Sequence, residues 1–112
     1  MDGYKFEEEI GKLLRKNKWN VQVTQRSSDG GIDLFGSDPR GRKVYIQCKR
    51  WKGKCQVQPV REIYGVTQSK DKNALAMVIC TGGFTKAAKE FGQESNVKLW
   101  DMEYVMKLAE TI

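Results

Sequence analysis

Phe6, Ile10, Leu13 and Leu14 recur at i, i+4, i+7 and i+8, with Glu7, Glu8, Glu9, Lys12, Arg15 and Lys16 between them. That spacing predicts an amphipathic helix over about residues 3 to 17. Its acids precede its bases, the order that opposes the helix dipole. Trp19, Val21 and Val23 then alternate with polar residues, as a strand does. Turn clusters at Ser27-Ser28-Asp29-Gly30-Gly31 and Ser37-Asp38-Pro39-Arg40-Gly41 bound a short apolar run, Ile32-Asp33-Leu34-Phe35. A similar run, Val44 to Lys49, follows, so three consecutive strands joined as hairpins are expected. Pro59 suits the first turn of a helix whose Val60, Ile63, Tyr64 and Thr67 share a face, spanning about residues 58 to 69. Ala74 to Thr81 is a continuous apolar run ended by Gly82-Gly83, the pattern of a strand buried on both faces. Thr85 is placed to cap a helix carrying Ala88 and Phe91; a short strand from Val97 to Trp100 and a helix capped by Asp101, with Val105 and Leu108, complete the chain.

The predicted order αβββαβαβα gives an α/β fold: a mixed sheet flanked by helices, its fourth strand parallel to a central one because a helix precedes it. At 112 residues, one domain over 1–112 is expected. No repeat, low-complexity tract or linker breaks it.

Charge is distributed unevenly. The net charge is +6, and residues 1 to 54, with 13 basic against 7 acidic side chains, hold all of it. The excess peaks in Arg40, Arg42, Lys43, Lys49, Arg50, Lys52 and Lys54, a stretch without acids that also contains Tyr45 and Trp51. A solvated turn has this look; so does a surface for a polyanion. Histidine is absent, which excludes Ser-His-Asp and Cys-His catalysis and histidine-ligated metal nucleases. Cys48, Cys55 and Cys80 are odd in number with no C-x-x-C spacing, so neither a disulfide framework nor a zinc site is expected. The opening MDGYKFEEEI has no apolar signal-type run, and no segment reaches the ~18–20 apolar residues of a membrane span. A soluble protein of the reducing cytoplasm is the expectation.

Asp33 stands between two aliphatics, so on a regular strand its carboxylate projects opposite to them, a costly arrangement for a charge unless it is paired or binds a metal. Gln47 and Lys49 share one face of the following run while Val44, Ile46 and Cys48 take the other. A carboxylate, an amide oxygen and a backbone carbonyl are hard donors suited to Mg²⁺ or Mn²⁺. A lysine beside them can orient an attacking water and offset phosphate charge. Taken alone, the pattern more often describes a solvent-facing strand of mixed polar residues.

The neighbouring motifs add weight. Phe6-Glu7, Asp29-Gly30-Gly31-Ile32-Asp33-Leu34, Ile46-Gln47-Cys48-Lys49-Arg50-Trp51, Val60-Arg61-Glu62-Ile63-Tyr64-Gly65 and Thr81-Gly82-Gly83-Phe84-Thr85 occur in that order. Together they resemble the Mrr-like restriction endonucleases of the PD-(D/E)xK nuclease superfamily, from about Tyr4 to Leu108. The resemblance implies an αβββαβ restriction-endonuclease-like core extended by a further α, β, α. It implies Asp33 as the central metal-binding carboxylate, Gln47 as the family's variant of the (D/E) position, Lys49 as the catalytic lysine and Glu7 as a helix-borne acid near the same metal. The wider superfamily more often has an acid at Gln47; glutamine is usual among Mrr-like members.

The implied activity is a Mg²⁺-dependent DNA endonuclease, with Mn²⁺ as an alternative ion, restricting foreign or modified DNA and leaving 5′-phosphate and 3′-hydroxyl ends. The Cys48 carbonyl would complete the metal set with Asp33, Gln47 and Glu7. Alternatives are a structure-specific nuclease of the Holliday-junction-resolvase kind and a non-catalytic nucleic-acid-binding module. One site per chain implies a homodimer, or an attached or partner recognition domain. Arg26, Arg50, Lys52 and Lys54 suit phosphate contacts. Gly30 and Gly31 either admit the DNA backbone or close a turn, and Trp51 either stacks on a base or packs on the sheet. Asp29 reads as a turn-closing side chain. Arg61 and Glu62 read as an ordinary surface pair, and the resemblance makes Glu62 a secondary candidate for holding Lys49 or the helix terminus.

Overall fold

The computed structural model describes residues 3–24 and 31–110, with side chains from Lys5 onward. Among the described residues, four helices and five strands follow in the predicted order: α1 (Gly3–Lys16), β1 (Asn20–Val23), β2 (Leu34–Ser37), β3 (Lys43–Lys49), α2 (Val57–Lys70), β4 (Leu75–Cys80), α3 (Lys86–Ser95), β5 (Lys98–Trp100) and α4 (Met102–Glu110). The strands lie side by side in sequence order in one sheet. β1, β2 and β3 are antiparallel neighbours, while β4 and β5 add in parallel. The two crossovers, β3–α2–β4 and β4–α3–β5, step the same way across the sheet, so crossovers of one hand put both helices on one face. α1 and α4 cover the other.

Each face has its own core. On one, Ile10 and Leu14 of α1 and Val105 of α4 pack on Val44, Ile46, Cys48, Met77 and Ile79. On the other, Val60 and Ile63 of α2 and Ala88 of α3 pack on Ala76, Val78 and Cys80. Every residue of β4 is buried, as its unbroken apolar run requires. Two caps form as the sequence indicates: the Thr85 hydroxyl accepts from Ala88 N–H at 3.2 Å and the Asp101 carboxylate from Tyr104 N–H at 2.9 Å. In α1, Arg15 and Lys16 occupy the last turn, but its acids begin past the first turn.

One element departs from expectation. The run from Ile32 predicts a strand with Ile32 and Leu34 on one face, yet β2 begins at Leu34, and the two residues pack in opposite cores. The cause is local hydrogen bonding. The Thr24 hydroxyl donates to the Ile32 carbonyl at 2.7 Å and Thr24 N–H to the Asp33 carbonyl at 3.0 Å. On the other side, Asp33 N–H still donates to the Ile46 carbonyl at 2.8 Å. Further along β3, Cys48 N–H finds the Asp33 carboxylate, at 2.7 Å, in place of a main-chain partner. The β2–β3 ladder thus opens into a fork held by a side chain.

Candidate active site

The fork gathers the charged groups. Asp33 Oδ2 is fixed by the Cys48 N–H, and the Glu7 side chain, on the second turn of α1, hydrogen-bonds to the same carboxyl. The Lys49 charge acts on it from the end of β3. Burial pushes the Asp33 carboxyl above its ordinary 3.8; the Cys48 N–H, the Glu7 contact and the Lys49 charge pull the other way without cancelling it. Without a cation, burial thus shifts the Asp33 carboxyl toward its protonated form, with the Glu7 side chain hydrogen-bonded beside it.

Gln47 is placed differently from a surface residue. The pattern of β3 predicts a polar, solvent-facing side for Gln47 and Lys49; the structure instead buries Gln47 to 2% exposure, because α2 covers that face as α1 covers the other. Its Nε2 lies where a Cβ on Gly31 would stand, and Gly31 has φ +78°. Only glycine serves both requirements: the left-handed backbone and the room for the amide. Gln47 Oε1 is fully buried and has no hydrogen-bond partner among the described residues, an expensive state for an acceptor that nothing satisfies. The groups therefore do not meet on one sheet face, as the strand pattern suggests. Glu7 comes from the α1 side, Gln47 from the α2 side, and Asp33 lies at the fork between them.

In an extended strand the N–H and C=O of one residue leave on the same side. The Cys48 carbonyl thus turns toward the edge where Asp33 stands. Among the described residues no three Cys, Asp or Glu side chains cluster as a metal site, so a cation here would draw on the Gln47 amide and the main chain besides Asp33 and Glu7. The Cys48 thiol faces the α1 core; burial, with the Asp33 and Glu7 charges adding to it, pushes it well above 9.0. Burial, and then the adjacent Cys80, push Cys55 up to about 12. Neither is a thiolate nucleophile.

The basic candidates are dispersed. Lys52 and Lys54 are exposed on the loop after β3. Arg50 turns to the other side of the chain, lining a groove of about 470 Å³ with Phe6, Ile10 and Met102. Trp51 is neither packed into the sheet nor remote from the chemistry: its ring centroid lies 5.1 Å from Lys49 Nζ. Glu62 is exposed, its helix position faces solvent, and among the described residues no ion pair joins it to Lys49. Arg26, Asp29 and Gly30 lie outside the described residues. Sequence reasoning assigned Thr81 no role of its own, yet its hydroxyl donates to the Trp51 carbonyl at 2.7 Å. The signals that point to it are its position just after the buried strand, before two glycines, and its place in the Thr81-Gly82-Gly83-Phe84-Thr85 motif.

A family model described as restriction endonuclease matches residues 1–109. An uncharacterized mitochondrial protein of Schizosaccharomyces pombe is 29% identical over 77% of this chain and 37% of its own length. The type IV methyl-directed restriction enzyme EcoKMrr of Escherichia coli is 36% identical over 66% of this chain and 25% of its own. The chain thus spans about a quarter to somewhat over a third of these curated relatives. Among solved structures, the DNA modification-dependent restriction endonuclease AspBHI superposes with a TM-score of 0.74 over 98% of this chain and 31% of its own, at 14% identity. With the αβββαβ core and the Asp33 fork in place, the chain belongs to the Mrr-like family of restriction endonucleases, on the PD-(D/E)xK fold.

Proposed function

We propose that this chain is the catalytic domain of a Mg²⁺-dependent DNA endonuclease, with Mn²⁺ as an alternative ion, that hydrolyses phosphodiester bonds of foreign or modified DNA. The observation that carries the reading is the buried Gln47 Oε1 without a partner among the described residues, one residue before Cys48, whose N–H holds the Asp33 carboxylate, and two before Lys49. A buried acceptor left unsatisfied is costly, and a cation at this site would relieve it. The donors are all hard oxygens: the Asp33 and Glu7 carboxylates, the Gln47 amide and the Cys48 carbonyl, a set that fits Mg²⁺ or Mn²⁺. When bound, such an ion supplies Lewis acidity to the phosphate undergoing attack.

The chain's own residues do the rest. Asp33 is fixed by the Cys48 N–H, so its carboxylate is oriented before substrate arrives. Lys49 orients the attacking water and offsets charge on the phosphate as the P–O bond to the leaving 3′ oxygen breaks. The attacking oxygen stays on phosphorus, leaving a 5′-phosphate and a 3′-hydroxyl. Lys52 and Lys54, exposed on the loop after β3, bind backbone phosphates; Arg26 and Arg50 are proposed to add to them, Arg50 from the neighbouring groove. One site cuts one strand, so a duplex break calls for two copies or two nicks. No described helix is long and apolar enough to cross a membrane; three unpaired cysteines agree with work in the reducing cytoplasm.

Comparing plain duplex, methylated duplex and a four-way junction tests the substrate. Cleavage of duplex, plain or methylated, is expected. Cleavage confined to the junction would overturn the restriction role.

A further inference from the structure

The loop after β3 is strapped to the end of β4 more tightly than a surface loop requires. The Thr81 hydroxyl donates to the Trp51 carbonyl at 2.7 Å. Cys55 N–H donates to the Gly83 carbonyl at 2.8 Å, and Thr85 N–H to the Cys55 carbonyl at 3.0 Å. Gly82 lies so close that a Cβ there would collide with the Gly53 carbonyl oxygen. The strap sets Trp51 at the next same-side position along the chain from Lys49. Its ring faces the ammonium at 5.1 Å, although the residue is 41% exposed. The Lys49 charge also acts on Asp33, so a carboxyl and an aromatic face both attract the ammonium.

Resting on the nuclease reading above, we infer that Trp51 is a positioning residue: its ring holds the Lys49 ammonium over the fork, and Thr81 with Gly82 holds the ring. A lysine side chain carries about 2 kcal/mol of rotamer entropy, and an ammonium that wanders spends less time against the water and phosphate it must serve. An aromatic face attracts the cation without neutralising it, as a second carboxylate would. The basic loop thereby does more than attract phosphate.

The experiment is steady-state nicking of supercoiled plasmid by Trp51→Leu, Trp51→Phe and Thr81→Val beside the unaltered protein. It is joined to ¹³C-lysine NMR of the metal-free proteins. Trp51→Leu should lower kcat roughly 5- to 30-fold, the range a partly desolvated cation–π contact commands, while KM for DNA stays near its starting value. Trp51→Phe should restore most of kcat, and Thr81→Val should fall in the same direction as leucine. The Lys49 Hε protons should be shifted upfield by the ring in the unaltered protein and not in Trp51→Leu. A raised KM with unchanged kcat in Trp51→Leu would make the ring a DNA-stacking platform and overturn the positioning role. Loss of kcat without any ring-current shift on Lys49 would overturn it too. A natural protein that nicks nothing would overturn the nuclease reading itself, and this role with it.

Discussion

Asp33 shows how much one side chain decides here. By accepting the Cys48 N–H at 2.7 Å it ends the β2–β3 ladder, and by meeting Glu7 it builds a site whose charge calls for a cation or a proton. The sign of the consequence follows from its raised pKa. The folded, metal-free protein binds protons more tightly than the unfolded chain, so this group costs stability as pH rises above the ordinary 3.8 and through its raised value. Asp33→Asn keeps an acceptor for Cys48 and removes the charge. Without metal, the variant should gain stability relative to the natural protein between pH 4 and pH 7, followed by urea denaturation, and calorimetry should find its Mg²⁺ and Mn²⁺ binding abolished. Unchanged metal affinity would put the ligand elsewhere. Asp33 itself was legible from its place between two aliphatics. That it interrupts the strand was not, because the competing donors, Thr24 and Cys48, come from other segments.

At the scale of elements, β3 is the instructive case. Its alternation correctly assigned Val44, Ile46 and Cys48 to one core and Gln47 and Lys49 to the opposite side. Alternation reports a side and not its cover, so the burial of Gln47 beneath α2 stayed hidden, as did the fit of its amide against Gly31. The burial sharpens what Gln47→Glu should do. A carboxylate in that position is buried without a partner, so the metal-free protein should lose about 1–3 kcal/mol at pH 7 in urea denaturation. The added anionic donor should lower the Mg²⁺ concentration for half-maximal nicking. A half-saturating concentration that rises or stays put would remove Gln47 from the metal set. Caps, by contrast, were fully legible, since Thr85 and Asp101 act within three residues of themselves. The strap of Gly82 on Gly53 was not, since its partners are about thirty residues apart in the chain.

For the whole molecule, the ruling feature is asymmetry. The entire +6 lies in residues 1 to 54, which supply α1, the fork and the loop carrying Lys52 and Lys54, while the neutral remainder builds the parallel half of the sheet and its covering helices. The fold divides the basic stretch, with Arg40, Arg42 and Lys43 at the β2–β3 turn and Lys49, Lys52 and Lys54 at and beyond the other end of β3; the proposed DNA surface is the second group, beside the fork. Replacing Arg50, Lys52 and Lys54 together by alanine should make the slope of log K against log[salt] for duplex DNA shallower by about 0.9 for each phosphate that is no longer neutralised. A slope equal to that of the natural protein would move the DNA surface away from this loop.

If the Asp33 fork, with Lys49 beside it, hydrolyses DNA with a divalent cation, then supercoiled plasmid nicking in Mg²⁺ and in EDTA, by the natural protein and by Lys49→Ala, is the most direct measurement. Nicked circles are expected in Mg²⁺ alone. Lys49→Ala should lose at least ~10²-fold in rate, with an unchanged circular dichroism spectrum, since Lys49 is half exposed at the end of its strand. Nicking in EDTA, or Lys49→Ala cutting at the natural rate, would contradict the assignment of the fork as the catalytic centre.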